Sequence, residues 1–314
     1  MNRTGSRQPT RSIRGATLVL LAMMAVSLGC GTGSASAASV PLGAYAGYTN
    51  TAGVAEIATL IGRPVNQAMD FFDGSDWNMA VHSPASIVPI WNRTDYRMTW
   101  GVAMLPDKGA TLAEGATGAY DHYFAAIAQY LVANHQGGST IRLGWEFNGD
   151  WFPWSAARCP TCFVTYWRHI VTTMRSVHGA RFRFTWNTTV GRESLAPTEA
   201  YPGDAYVDVI GTDVYDNMPG SLSPSARWRR LMDEPYGLRW FSSFARAHHK
   251  SVSFPEWGLG FPPNGGGDDP YFITHMAQFI SAQPRLAGAL YWNYGTSGLS
   301  GSPRSRAAFA RVFA

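Results

Sequence analysis

The stretch TIRLGWEFNGDWFPW, Thr140–Trp154, decides how the chain is read. Its first seven residues, Thr140–Glu146, form a short apolar run with the look of a β-strand. A helical pattern precedes it (Gly118–Gly138) and another follows (Phe163–Val177). At the end of the run stands a carboxylate, Glu146, with Phe147, Trp151, Phe152 and Trp154 just beyond. A buried acid is costly unless it is paired or used.

The same alternation runs outward in both directions. Further strand candidates are Pro41–Tyr48, Pro64–Phe72, Arg97–Leu105, Phe182–Asn187, Val207–Tyr215, Ser251–Trp257 and Gly288–Tyr294. Helical spacing also marks Ala52–Gly62, Gly237–His249, Asp269–Gln283 and Pro303–Phe313. The second and fifth connections carry no clear pattern, and PASIVPIWNRT (Pro84–Thr94) reads as loop. Eight strands alternating with helices predict an α/β domain with a parallel sheet, closed as a single (β/α)8 TIM barrel. An open, doubly wound sheet is the runner-up. It would favour a Gly-rich phosphate loop after the first strand, and AGYTNTAG (Ala46–Gly53) is not one. No G-x-S-x-G occurs either, which argues against a serine hydrolase on such a sheet.

Residues 1–37 read as a secretory signal peptide. Arg3, Arg7, Arg11 and Arg14 precede the apolar segment Ala16–Gly29, and an A-x-A site ends at Ala37. The leader has no Arg-Arg pair. SLGC before Cys30 lacks the apolar residue usual three positions ahead of a lipidated cysteine, so lipid anchoring is the lesser reading. About 277 of the 314 residues remain, and 38–314 suits one catalytic domain. The whole chain has 25 Lys+Arg against 21 Asp+Glu, but four of those arginines lie in the leader. The rest is balanced, and a nucleic-acid partner loses its main support. A secreted monomer without stable membrane insertion is expected.

Cys159 and Cys162, in RCPTC, most simply form a short disulfide in an exported protein. A zinc site needs two more soft ligands; His169 alone does not make one, and no H-E-x-x-H occurs. No metal or cofactor is expected.

In a barrel of this kind, catalytic groups come from the C-terminal ends of strands. Glu146 closes the fourth, Asp213 and Tyr215 the sixth, and Glu256 the seventh, while Trp292 lies in the eighth. Strict alternation would place Arg142, Gly144 and Glu146 on one side of their strand. On residues alone, Glu146 is as readily a structural partner of Arg142 as a catalyst. RLGWEFNGDWFPW resembles the acid/base segment of glycoside hydrolase family 26, the barrel family that includes many β-mannanases. There an Arg lies four residues before the catalytic Glu, and an Asn-Gly and a Trp-rich loop follow. SFPEWG resembles the family's nucleophile segment, VDVIGTDVY its strand-six segment, and LYWN its strand-eight segment.

The resemblance implies a retaining glycosidase with Glu146 as acid/base and Glu256 as nucleophile. Tyr215 would orient the nucleophile and Arg142 would support it electrostatically. Trp151, Trp154, Trp257, Trp292, Trp145, Asn148 and Asp213 become substrate-binding candidates, Asp213 also as a support for Tyr215. Large aromatics fill cores more often than they bind ligands, so Trp100 and Trp186 are assigned to packing. Asn148 in Asn-Gly also suits a turn. One departure stands out: Trp145 replaces the His usual immediately before the acid/base. The substrate expected is a polysaccharide or oligosaccharide, with β-1,4-mannan first and mixed-linkage glucan or xylan behind it. An envelope-glycan hydrolase and a non-catalytic sugar-binding barrel are the rivals. The sequons at Asn92 and Asn187 are expected to be unused.

Overall fold

The computed structural model describes residues 40–314, so the leader and Cys30 lie outside the described residues. Within them the chain alternates strand and helix: β1 (Leu42–Tyr45), α1 (Thr51–Ile61), β2 (Gln67–Phe71), α2 (Trp77–His82), α3 (Pro84–Trp91), β3 (Arg97–Val102), α4 (Leu112–Gly115), α5 (Asp121–Ala133) and β4 (Thr140–Leu143). It continues through α6 (Pro160–Ser176), β5 (Arg183–Thr189), β6 (Val209–Tyr215), α7 (Pro224–Asp233), α8 (Leu238–Ala247), β7 (Ser251–Gly258), α9 (Pro270–Ser281), β8 (Leu286–Trp292) and α10 (Pro303–Phe313). Each strand pairs in parallel with the next, and β8 returns to β1 with Tyr45 opposite Trp292. The expected eight-stranded (β/α)8 barrel is therefore closed.

Local chemistry explains where helices start and stop. The Asn50 side chain caps α1 by accepting from the Gly53 amide at 2.9 Å, and Gly62 ends it in the left-handed region that glycine tolerates. Pro stands in the first turn of α3, α6, α7, α9 and α10, where its missing N–H leaves no bond unmade. Cys159 and Cys162 form a disulfide across the start of α6. No helix among the described residues is long and apolar enough to cross a membrane.

The second connection departs from expectation. Pro84–Trp91 is a helix, despite the internal Pro89. Its Ile87, Val88 and Trp91 are buried on one face, and the Trp91 indole donates to Asp70 Oδ2 at 2.7 Å. Packing of that face overrides the local proline penalty. Helix α7 also escaped the periodicity, because SARWRRLMD carries few apolar residues and buries only Arg227 and Leu231. The fifth connection contains only two short 3-10 turns.

Large side chains pack between strands and helices, among them Trp100, Trp167, Trp186, Phe184 and Phe254. Trp257 belongs to this layer. It is fully buried, edge-on to Tyr291 at 4.9 Å and stacked on Phe309 of α10 at 5.8 Å. The expectation that Trp257 binds sugar is corrected: a residue next to an inward Glu256 faces outward on a strand.

Helix α10 thus closes the barrel wall through Phe309. Phe309→Ala is expected to destabilise the fold by about 3–5 kcal/mol, read as a lowered urea midpoint with an unchanged slope. A change below about 1 kcal/mol would mean that this seam contributes little.

Candidate active site

The centre of the site is one guanidinium. Arg142 points from β4 into the barrel and is fully buried. One terminal nitrogen pairs with Asp213 of β6 and the other with Glu256 of β7. A buried cation without such partners would be prohibitive, and breaking a buried pair is strongly destabilising. Two rings flank the guanidinium: Trp145 at 5.3 Å and Phe71 at 5.7 Å from their centroids.

Asp213 is held from three sides. Besides Arg142, Asn187 of β5 donates to its Oδ2 at 2.9 Å and the Glu256 amide to its Oδ1 at 3.1 Å. Asp213 is fully buried, so its candidacy as a sugar ligand is corrected; it braces Arg142 and the Glu256 backbone. The Tyr215 hydroxyl donates to Glu256 Oε2 at 2.8 Å, while Oε1 faces Arg142. Each oxygen of Glu256 therefore has a fixed donor. Burial, then the charge of Glu256, pushes the Tyr215 hydroxyl well above its ordinary value, so it remains a donor.

Glu146 arrives by a different route from the one expected. Regular β4 stops at Leu143, and Gly144 turns into the left-handed region (φ 46°). A Cβ there would stand 2.4 Å from Met104 Sδ, and the positive φ itself favours glycine. Glu146 itself has φ 52°, a strained value for a residue with a Cβ. The neighbourhood holds it there: the Glu146 amide donates to Asn187 O at 2.9 Å and its carbonyl accepts from Gly149 at 3.0 Å. Alternation along β4 is broken, and the turn rather than the strand aims this carboxyl.

Two other expectations dissolve into this turn. Asn148 is buried, donates to Thr189 O at 3.0 Å and accepts from the Thr189 amide at 2.9 Å. Trp154 is buried, stacked on Phe152 at 4.6 Å, and its indole donates to Trp145 O at 2.8 Å. Both are corrected from sugar contacts to clamps on the loop. Trp151 is different. It is 49% exposed and donates its indole N–H to Glu146 Oε2 at 2.9 Å. A Cβ on Gly149 would fall 2.3 Å from its ring, so Gly149 gives the indole its seat.

Glu146 and Glu256 both line one cleft of about 640 Å3, with Trp151 and Tyr215 beside them and Arg192, Glu193, Arg230 and Glu234 farther out. Burial, then the charge of Glu256, raises Glu146 to about 7, against the opposing pull of Arg142. Burial likewise pushes Asp213 above the usual carboxylate range, opposed by Arg142. Three carboxyls around one guanidinium leave two uncompensated charges if all ionise. Glu146, which touches no guanidinium, is the natural holder of a proton.

Trp292 is half-buried and stacked on Tyr45 at 4.3 Å; Phe71 meets Tyr45 at 5.3 Å and Trp145 at 5.0 Å, edge-on. This aromatic wall includes two residues, Tyr45 and Phe71, that sequence reasoning passed over. Asn187 was passed over too, noted only as a sequon; it is fully buried. All three lie at or near the C-terminal ends of strands, the rule already used for the acids.

A family model described as glycosyl hydrolase family 26 matches residues 40–239. The matched residues include Glu146, Asp213 and Tyr215 and stop short of Glu256. A mannan endo-1,4-beta-mannosidase of Bifidobacterium adolescentis is 29% identical over 164 residues, 49% of this chain and 16% of that protein, so the chain spans a small part of this relative. Among solved structures, a modular endo-beta-1,4-mannanase from Cellulomonas fimi superposes with TM-score 0.62 at 20% identity, covering 87% of this chain and 71% of that one. The catalytic domain of a Bacillus sp. JAMB-750 endo-beta-1,4-mannanase does so with TM-score 0.62 at 17%, covering 88% and 86%. At these identities the structural likeness speaks for the fold.

The raised Glu146 value has a sign in stability. The folded state holds this proton to about 7, whereas the unfolded chain releases it near 4.5. The protein therefore loses stability as pH rises between those values. Glu146→Gln removes that part of the loss, so its stability relative to the unaltered protein is expected to be greater at pH 8 than at pH 4. Urea denaturation at both pH values checks this; an equal difference at both would contradict the raised value.

Proposed function

The chain belongs to glycosyl hydrolase family 26, and we propose that it is a secreted retaining β-glycosidase cleaving β-1,4-mannan within the chain. The observation that supports this best is the pairing of unequal carboxyls on one cleft. Glu256 has both oxygens held by donors, while Glu146 is poised to keep its proton near neutrality. Retaining hydrolysis needs this division of labour between two carboxyls.

In the first step Glu256 attacks the anomeric carbon and the glycosidic C–O bond breaks. Glu146 gives its proton to the departing oxygen, and a glycosyl ester forms on Glu256. In the second step Glu146 takes a proton from water as that water attacks the same carbon. The ester bond breaks and the Glu256 carboxylate is restored. Arg142 and Tyr215 keep Glu256 oriented and balance its charge as it returns. Trp292, stacked on Tyr45, offers an apolar face to a pyranose ring, and Trp151 does so beside the acid. Trp145, also a substrate-binding candidate, packs between Phe71 and Trp154 and over Arg142. Mannan is favoured because the similar proteins are mannanases. Secretion is supported by the leader read in residues 1–37 and fits a protein bearing a disulfide.

Three outcomes test the reading. Glu256→Ala is expected to abolish hydrolysis, with azide restoring turnover and yielding a glycosyl azide of inverted configuration. Glu146→Gln should lower kcat about 10²–10⁴-fold on mannan. In the unaltered protein kcat/KM should fall above about pH 7, as Glu146 loses its proton in the free enzyme. Failure to cleave mannan while glucan or xylan is cut would overturn the substrate. Binding of sugars with cleavage of none would overturn the enzyme.

A further inference from the structure

A second cavity, of about 390 Å3, opens on the barrel face opposite the glutamates. That size falls within the range of pockets that hold small organic ligands. Its lining comes from the N-terminal ends of the strands: Gln67 opens β2, Arg97 opens β3, and Arg183 opens β5. Barrel interiors usually carry bulky branched apolar side chains in this layer. Here Thr99, Thr185, Ser253 and Gly288 stand in this lining beside Val209 and Leu290. At Gly288 a neighbouring side chain takes the space. A Cβ on Gly288 would lie 2.0 Å from Gln67 Oε1, and Gln67 is itself fixed by its amide donating to Ala287 O at 2.7 Å.

The floor of the cavity is polar and unsatisfied. Thr185 is 1% and Ser253 6% exposed, and neither hydroxyl has a hydrogen-bond partner among the described residues. Buried polar groups are rarely left so. The rim is cationic. Arg97 and Arg183 are exposed, and neither makes an ion pair among the described residues. No carboxylate lines the cavity. Leu290, which packs with Met69 and Tyr45, separates this space from the active site.

A cationic rim over a floor of hydroxyls selects a ligand that is anionic at one end and hydroxylated at the other. We propose that the cavity binds a small polyhydroxylated anion, a sugar acid or a sugar phosphate. Its charged group rests on Arg97 and Arg183, and its hydroxyls bond Thr185 and Ser253. The site is separate from the catalytic cleft and takes a single small molecule rather than a polymer.

Isothermal titration of the full chain with gluconate, glucose 6-phosphate and neutral sorbitol, at matched ionic strength, tests this. One or both anions are expected to bind at one site per chain, with sorbitol bound at least tenfold more weakly. A response to gluconate alone identifies a sugar-acid site and to the phosphate alone a sugar-phosphate site. Arg97→Gln combined with Arg183→Gln should weaken binding at least tenfold while leaving glycan hydrolysis and the thermal midpoint unchanged. Thr185→Val should weaken it several-fold. Glu256→Ala should bind as the unaltered protein does. Silence with both anions, sorbitol binding as tightly, indifference to the paired Arg substitutions, or loss of binding in Glu256→Ala would each overturn the proposal.

Discussion

The contact of Arg142 with Asp213 and Glu256 is the constraint around which the upper barrel is arranged. Three strands, β4, β6 and β7, meet at this guanidinium, and β5 joins through Asn187. A cation buried to this degree forces its neighbours to supply charge and hydrogen bonds. Asp213 spends both oxygens on Arg142, Asn187 and the Glu256 amide, which is why it cannot reach a substrate. Glu256 keeps its place without losing its access to the cleft, because its second oxygen is held by Tyr215 at the cleft wall.

The same constraint separates the two glutamates chemically. Glu256 is attached to the cation; Glu146 is attached to an indole and sits in the field of Glu256. The difference is made by backbone as much as by charge. Had β4 continued in regular alternation, Glu146 would have joined Arg142 inside the barrel. The left-handed residues Gly144 and Glu146 lift it out to the rim instead. Trp145, standing where the family usually has a histidine, contributes here as a ring 5.3 Å from Arg142 and as part of the aromatic wall with Phe71. A cationic histidine at that position would add charge beside Arg142; an indole adds only a π face.

Much of the barrel was legible because strands and helices differ in period, and most strand and helix cores were found to within a few residues. The exceptions have physical causes. Pro84–Trp91 hid behind two prolines, and its helix rests on burial of Trp91 against Asp70, a contact between segments that no local pattern shows. At the site, the rule that strand ends carry function singled out Glu146, Tyr215 and Glu256, which the structure brings to one cleft. It fails to rank the aromatics, since a Trp in a core and a Trp on a cleft look alike in sequence. Trp257 was decidable all the same: strand alternation sets it opposite Glu256. Asn148 and Trp154 were not, because a turn at positive φ, which sequence suggests only at Gly144, redirects everything after it.

The proposed mechanism requires that Glu256, oriented by Arg142 and Tyr215, forms the covalent bond to sugar. The most direct measurement is to inactivate the protein with an activated 2-deoxy-2-fluoro β-mannoside and map the adduct by peptide mass spectrometry. One sugar per chain is expected, carried on the peptide containing Glu256 and at that residue. A label on Glu146, or cleavage of substrate with no trappable ester and inverted product configuration, would contradict it.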